Sequence, residues 1–159
     1  MLGKAPEVSA VAAALEYVFK AARAQGSSVS RIHFHSLGYH IVATARSDAD
    51  GGGDASKLQQ WSHAAASAAQ GSVAATYQAC NVTGHADLHG DDLKLVVSTR
   101  LDVDGTGTDI RQLSKDEAIH QWDTASLRLT FVPVLVCKEP HVTVGLGDAI
   151  SSSAFSAHL

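Results

Sequence analysis

Apolar residues recur at three- and four-residue spacing near the start of the chain. Val8, Val11, Leu15, Val18, Phe19 and Ala22 fall on one face of a helix, with Pro6 before them and Gly26 after the last turn. Proline at a first helical position loses no internal hydrogen bond, and glycine suits the residue that ends a helix. The spacing then shortens. Val29 to Leu37 reads as a strand with Ile32, Phe34 and Ser36 on one face and Arg31, His33 and His35 on the other. Tyr39 to Ala45 reads either as a second short strand or as a continuation after a turn at Gly38.

Ser47 to Ser56, with three successive glycines among aspartates and serines, predicts a solvated loop. Ala55 to Ala79 predicts an alanine-rich helix whose packing face carries Leu58, Trp61, Ala65, Ala68 and Ala69. Small residues there let a helix approach its neighbours closely. After a polar turn from Asn81 to Asp92, a strand is predicted over Leu93 to Ser98 and a turn at Asp104-Gly105. Ile110 to Gln121 reads as weak helix or loop. Leu127 to Cys137 is the strongest strand, with Pro133 marking an irregularity or an edge. A glycine-containing turn then leads into a last helix near Asp148. Strands interleaved with helices predict an α/β layered fold, a central mixed sheet flanked by helices.

Composition narrows the function classes. With 159 residues, 45% hydrophobic and 18% charged, the chain has the make-up of one globular domain and not of a disordered segment. A net charge of −4 with scattered lysines and arginines provides no stripe for a nucleic-acid backbone. No long uncharged apolar run marks a membrane segment, and Glu16 and Lys20 interrupt the first helix, so no secretory signal is read. The two cysteines, Cys80 and Cys137, are too few for a disulfide framework or a four-cysteine zinc site. That makes a reducing compartment, the cytoplasm, the default. A secretory lumen stays open for a longer chain.

The chemistry concentrates in Thr143-Val144-Gly145-Leu146-Gly147-Asp148, between the strongest strand and the last helix. Gly145 and Gly147 permit an unusual turn and let main-chain N–H groups approach a ligand with no Cβ in the way. At a helix N-terminus those groups and the helix dipole attract phosphate. Asp148 can accept the proton of an attacking hydroxyl beside the phosphoryl group so held. Taken alone, the turn is equally a tight bend with an aspartate capping the next helix.

Three further stretches give it a setting. They are Arg31-Ile32-His33-Phe34-His35-Ser36-Leu37 with Tyr39-His40-Ile41, then Trp61 with Gln78-Ala79-Cys80. The last is Phe131-Val132-Pro133-Val134-Leu135-Val136-Cys137-Lys138-Glu139-Pro140, running on through Asp148 to Ile150-Ser151-Ser152. In this order, from about Arg31 onward, the chain resembles the ADP-dependent glucokinase family of ADP-dependent sugar kinases. The resemblance implies a ribokinase-like fold, an incomplete domain in which residues 1–159 form the C-terminal nucleotide-binding part. The N-terminal part and the sugar lid would lie outside it. It implies phosphoryl transfer from ADP to D-glucose, giving AMP and glucose 6-phosphate, with Mg2+ and a monomeric enzyme. Asp148 would be proton acceptor and magnesium ligand; Gly145 and Gly147 would form the anion hole; the Cys137 backbone and His35, then His33, would border the nucleotide. The alternatives are a truncated, inactive nucleotide-binding module and an ADP-dependent phosphofructokinase.

The family's magnesium-binding Asn-x-x-Glu element has no counterpart here: the third residue after Asn81 is Gly84, and the glutamates are Glu7, Glu16, Glu117 and Glu139. Two other patterns read as structural. Asp102 to Asp109 resembles a calcium loop but puts Leu113 where the twelfth-position glutamate belongs. His33, His35 and His40 lack a third ligand fixed by spacing, so they read as hydrogen-bonded or packed histidines and not as zinc ligands.

Overall fold

The computed structural model describes residues 5–46, 54–81, 90–114, 116–141 and 145–156, with backbone alone at 54–61, 90, 146 and 154–156. The first helix, α1, spans Val8–Ala24 and buries Val8, Val11, Ala12, Leu15 and Phe19. Val18, expected on that stripe, is exposed at the edge of the buried face, while Ala12 is buried with the others. Glu7 is the N-cap, so Pro6 stands just outside the helix and not at its first position. There its carbonyl accepts a hydrogen bond from the Tyr39 hydroxyl at 2.8 Å.

The predicted hairpin forms. Strand β1 (Arg31–His35) pairs antiparallel with β2 (Tyr39–Ala45), His35 opposite His40, and the connection is tied by Ser36. Gly38 lies in the bend, where a Cβ would sit 2.9 Å from Val97 and 3.0 Å from Ala5. Strand β2 lies inside a four-stranded sheet of order β1-β2-β7-β6, where β6 is His120–Asp123 and β7 is Leu127–Pro133. All its pairs are antiparallel, where parallel pairs as well were expected of a mixed sheet. The reason is connectivity: β2 meets β1, and β7 meets β6, each through a short turn that reverses the chain.

Residues 41, 43, 127, 129 and 131 point to the face that α1 covers. Ile41, Ala43, Leu127, Leu129 and Phe131 are wholly buried there with Tyr39. The Tyr39 and Phe131 rings pack with centroids 5.2 Å apart, and truncating Phe131 would cost about 3–5 kcal/mol. The opposite face carries Val42 and Val132 under Ala64 and Ala68 of helix α2, Asp54–Cys80. The packing stripe of α2 is Ala64, Ser67, Ala68, Ser72, Ala75, Thr76 and Ala79, a slightly different face from that expected, in which Ala65 is only half-buried. Leu58 and Trp61, also expected there, have side chains outside the described residues. The result is three layers: α1, the sheet, and α2.

Smaller elements finish the fold. A 3-10 turn (Gly90–Asp92) leads into β3 (Leu93–Leu95), half the length expected of the Leu93 to Ser98 segment. It pairs with β8 (Leu135–Cys137). Strands β4 (Arg100–Asp102) and β5 (Ile110–Gln112) form a hairpin. Ile110 to Gln121 is therefore strand, gap and strand where weak helix or loop was expected. Cross-strand pairing with Arg100 and Thr130, which no local propensity reveals, decides it. Pro133 does end the long strand: Val134 leaves the sheet, its N–H turning to the Gly38 carbonyl at 2.9 Å. Helix α3, Leu146–Ser156, packs against α2.

Candidate active site at the start of α3

The turn into α3 stands where three elements meet. Gly145 adopts a φ of +77°, which an L side chain takes only under strain, and its carbonyl accepts the Ala149 N–H at 3.0 Å. The first-turn N–H groups of a helix have no partner within it, so Gly147 and Asp148 sit where such donors face outward. Asp148 lies in that first turn and is exposed.

Two flanking groups locate the turn. A Cβ on Gly145 would be 3.1 Å from the Gln78 side-chain nitrogen in the last turns of α2, and one on Gly147 would be 3.6 Å from His35 Cε1 at the end of β1. The structure thus brings Gly145, Gly147, Asp148 and His35 together. Cys137 stands slightly apart, lining a narrow crevice with Ser36, Ala79 and Ile150. Its side chain is committed: Cys137 and Cys80 form a disulfide with Cα atoms 5.6 Å apart. Neither the count nor the spacing of the cysteines foretold that pair, because it joins the ends of two elements 57 residues apart.

His35 belongs to a trio. His33 Nε2 lies 3.2 Å from His40 Nδ1, so one ring donates and the other accepts, and the His35 centroid is 6.1 Å from that of His40. His40 is wholly buried, and its Nε2 finds no hydrogen-bond partner among the described residues. Burial, with the His33 and His35 rings close by, pushes its pKa down to about 3, so it is neutral at ordinary pH. At the other end of β1, Arg31 Nη2 donates to Ser67 Oγ at 2.6 Å, tying β1 to α2. Among the described residues no group of three or more histidine, cysteine or carboxylate side chains converges as a metal site. The Asp102 to Asp109 carboxylates turn instead to their own loop: Asp102 accepts from the Gly105 and Gly107 N–H groups and Asp104 from Thr106.

Gly71 had no role in the sequence pattern, Gln78 stood only within the Gln78-Ala79-Cys80 stretch, and His40 read as a hydrogen-bonded or packed histidine. A glycine inside an alanine-rich helix costs about 1 kcal/mol against alanine. That signal marked Gly71, whose absent Cβ would press on Ile150 of α3.

Comparison with known proteins gives this arrangement its kinship. Residues 1–157 match the ADP-specific Phosphofructokinase/Glucokinase conserved region. The chain belongs to that family. It is 35% identical over 153 residues to the ADP-dependent glucokinase of Bos taurus, covering 92% of this chain and 27% of that protein. With the probable ADP-dependent glucokinase of Caenorhabditis elegans it shares 32% over 128 residues, 80% of this chain and 23% of the relative. The chain therefore spans about a quarter of the length of the relatives it matches. A solved ADP-dependent kinase in complex with fructose-6-phosphate and ADPbetaS has a similar fold, with a TM-score of 0.52 at 22% identity. The match covers 96% of this chain and 32% of that one. Within the ADP-specific family the expected α/β class therefore holds, as part of a larger domain. No helix among the described residues is long and apolar enough to cross a membrane.

Proposed function

We propose that this chain is the C-terminal, nucleotide-binding part of an ADP-dependent glucokinase. Asp148 accepts the proton of a glucose hydroxyl, the hydroxyl oxygen bonds to the β-phosphorus of ADP, and AMP leaves as glucose 6-phosphate forms. The observation that carries this reading is the exposed Asp148 carboxylate in the first turn of α3, one residue from Gly147 and beside the left-handed Gly145. A base and outward main-chain donors share one spot, which is what an in-line transfer to a bound phosphate needs. His35 lines the approach next to Gly147. The Cys137 main chain borders the nucleotide from the end of β8, whose Leu135 faces a wide apolar groove shared with Leu95, Leu113 and Ile119.

Asp148 also fits a role toward Mg2+: the ion accepts one or two carboxylates together with phosphate oxygens and water, and this carboxylate is exposed at the phosphate end of the turn. Bound there, Mg2+ would neutralise charge on the donor phosphates. The remaining protein ligands, the lid and the rest of the sugar site lie outside this chain in the proposed enzyme.

Glucose is favoured as acceptor by the names of two relatives above 30% identity. Fructose 6-phosphate is the second reading, since the family description covers both activities. In the full-length protein, Asp148→Ala should abolish turnover with ADP and glucose while ADP binding, followed by calorimetry, largely survives. Near-normal turnover would remove the proposed base. Parallel assays with glucose and fructose 6-phosphate decide the acceptor, and ADP binding with neither product formed would favour an inactive nucleotide-binding module.

A further inference from the structure

We infer that Gln78 is a positioning residue: from the end of α2 its side chain holds Gly145 left-handed and so keeps Gly147 and Asp148 in register. Its consequence for catalysis rests on the phosphoryl-transfer reading above; its consequence for the turn does not.

Glycine by itself does not choose this conformation. It populates positive and negative φ about equally, so a glycine at +77° needs something outside itself to select that state. One restraint, the Ala149 N–H on the Gly145 carbonyl at 3.0 Å, belongs to α3 and moves with it. The other comes from α2. On the side where a Cβ would stand, the nearest atom is the Gln78 side-chain nitrogen, 3.1 Å away. Among the described residues beyond the chain neighbours, no other heavy atom lies within 4 Å of that point.

Gln78 can hold the turn because its own helix is fixed. Ala75, Thr76 and Ala79 are buried, and the Thr76 hydroxyl donates to the Leu135 carbonyl of β8 at 2.7 Å. The Gln78 carbonyl accepts the Asn81 N–H at 3.1 Å where the helix stops, and the Ala79 carbonyl accepts that of His141 at 2.8 Å. Gly71 precedes Gln78 by about two helical turns, so both lie on one face of α2. Gly71 seats Ile150 of α3, and Gln78 seats Gly145. The glycine lets the helices close; the glutamine sets how the chain enters α3. Without the Gln78 side chain the Gly71 contact stays, and what is lost is the selection of one φ at Gly145. Asp148 follows in the first turn, so a change of φ there swings its carboxylate and the neighbouring N–H groups away from a bound phosphate. A misplacement of about 1 Å is enough to slow a reaction about a hundredfold.

The test compares the full-length protein with its Gln78→Ala variant. Amide hydrogen exchange should rise about tenfold at Ala149, whose N–H bonds to the Gly145 carbonyl, while β2 and β7 keep their protection. Unchanged exchange at Ala149, or a rise of equal size throughout the sheet, overturns the proposal. Gln78→Glu matches glutamine in length and should keep Ala149 slow; exchange as fast as in the alanine variant overturns the contact as the restraint. In steady-state assays with ADP and glucose, Gln78→Ala should lower kcat about tenfold and leave the glucose KM within about twofold, since the displaced groups serve the transfer. An unchanged kcat, or a raised glucose KM with kcat intact, overturns the catalytic consequence. If the parent protein forms no product from ADP with either sugar, the phosphoryl-transfer reading fails, and exchange at Ala149 by itself decides the role of Gln78.

Discussion

Gly71 of α2 and Ile150 of α3 meet backbone to backbone: a Cβ at Gly71 would lie 3.0 Å from the Ile150 carbonyl oxygen and 3.3 Å from its Cγ2. Helix α3, which carries Asp148, therefore rests directly on α2. Gly71→Val should force the helices apart and destabilise the fold by roughly 1–3 kcal/mol, as overpacking does. Urea denaturation measures the loss. Gly71→Ala should cost less, because alanine recovers about 1 kcal/mol of helix propensity. An unchanged midpoint for the valine variant would contradict the contact.

The two glycines of the turn are unequal. Gly145 has φ +77° and a Cβ there would meet Gln78, so Gly145→Ala should cost about 1–2 kcal/mol and weaken ADP binding. Gly147 has an ordinary φ and room for a Cβ at 3.6 Å from His35, so Gly147→Ala should leave the denaturation midpoint nearly unchanged. Equal stability losses at the two positions would show that backbone strain is not what sets Gly145 apart.

His40 makes stability depend on pH. Its folded pKa of about 3 lies below the ordinary histidine value of 6.5, so the unfolded chain binds the extra proton in between. Stability from this group is fully present above about pH 6.5 and is lost as pH falls toward 3, by up to about 1.4 kcal/mol per pH unit. Urea midpoints collected from pH 7.5 down to 4.5 should decline, and His40→Leu should flatten the decline. The same slope in the variant would rule His40 out as its source.

Tyr39 ties the sheet to the chain before α1. Its hydroxyl donates to the Pro6 carbonyl at 2.8 Å, and burial, with the Glu7 charge second, raises its pKa to about 12. Tyr39→Phe should lower stability by about 0.5–1.5 kcal/mol, read from thermal unfolding. In an absorbance titration near pH 10.5, the variant should lose none of the tyrosinate signal of the parent protein, since Tyr39 is still protonated there. A drop of one tyrosine's worth of signal would refute its shielding.

What the sequence determined by itself is local. The three- and four-residue spacing of α1, the alternation that separates Ile32 and Phe34 from His33 and His35, and the interruption at Pro133 rest on backbone periodicity within a few residues. So does the passage from Gly145 into α3, and the quoted motifs sufficed for the family. Tertiary structure alone decided that Ile110–Gln112 and His120–Asp123 are strands, since their partners Arg100 to Asp102 and Arg128 to Phe131 supply the hydrogen bonds. It alone paired Cys80 with Cys137, set α3 on Gly71, buried His40 and brought His35 to Gly147. Each of these joins residues distant along the chain, and only the packing of the layers fixes which of them meet.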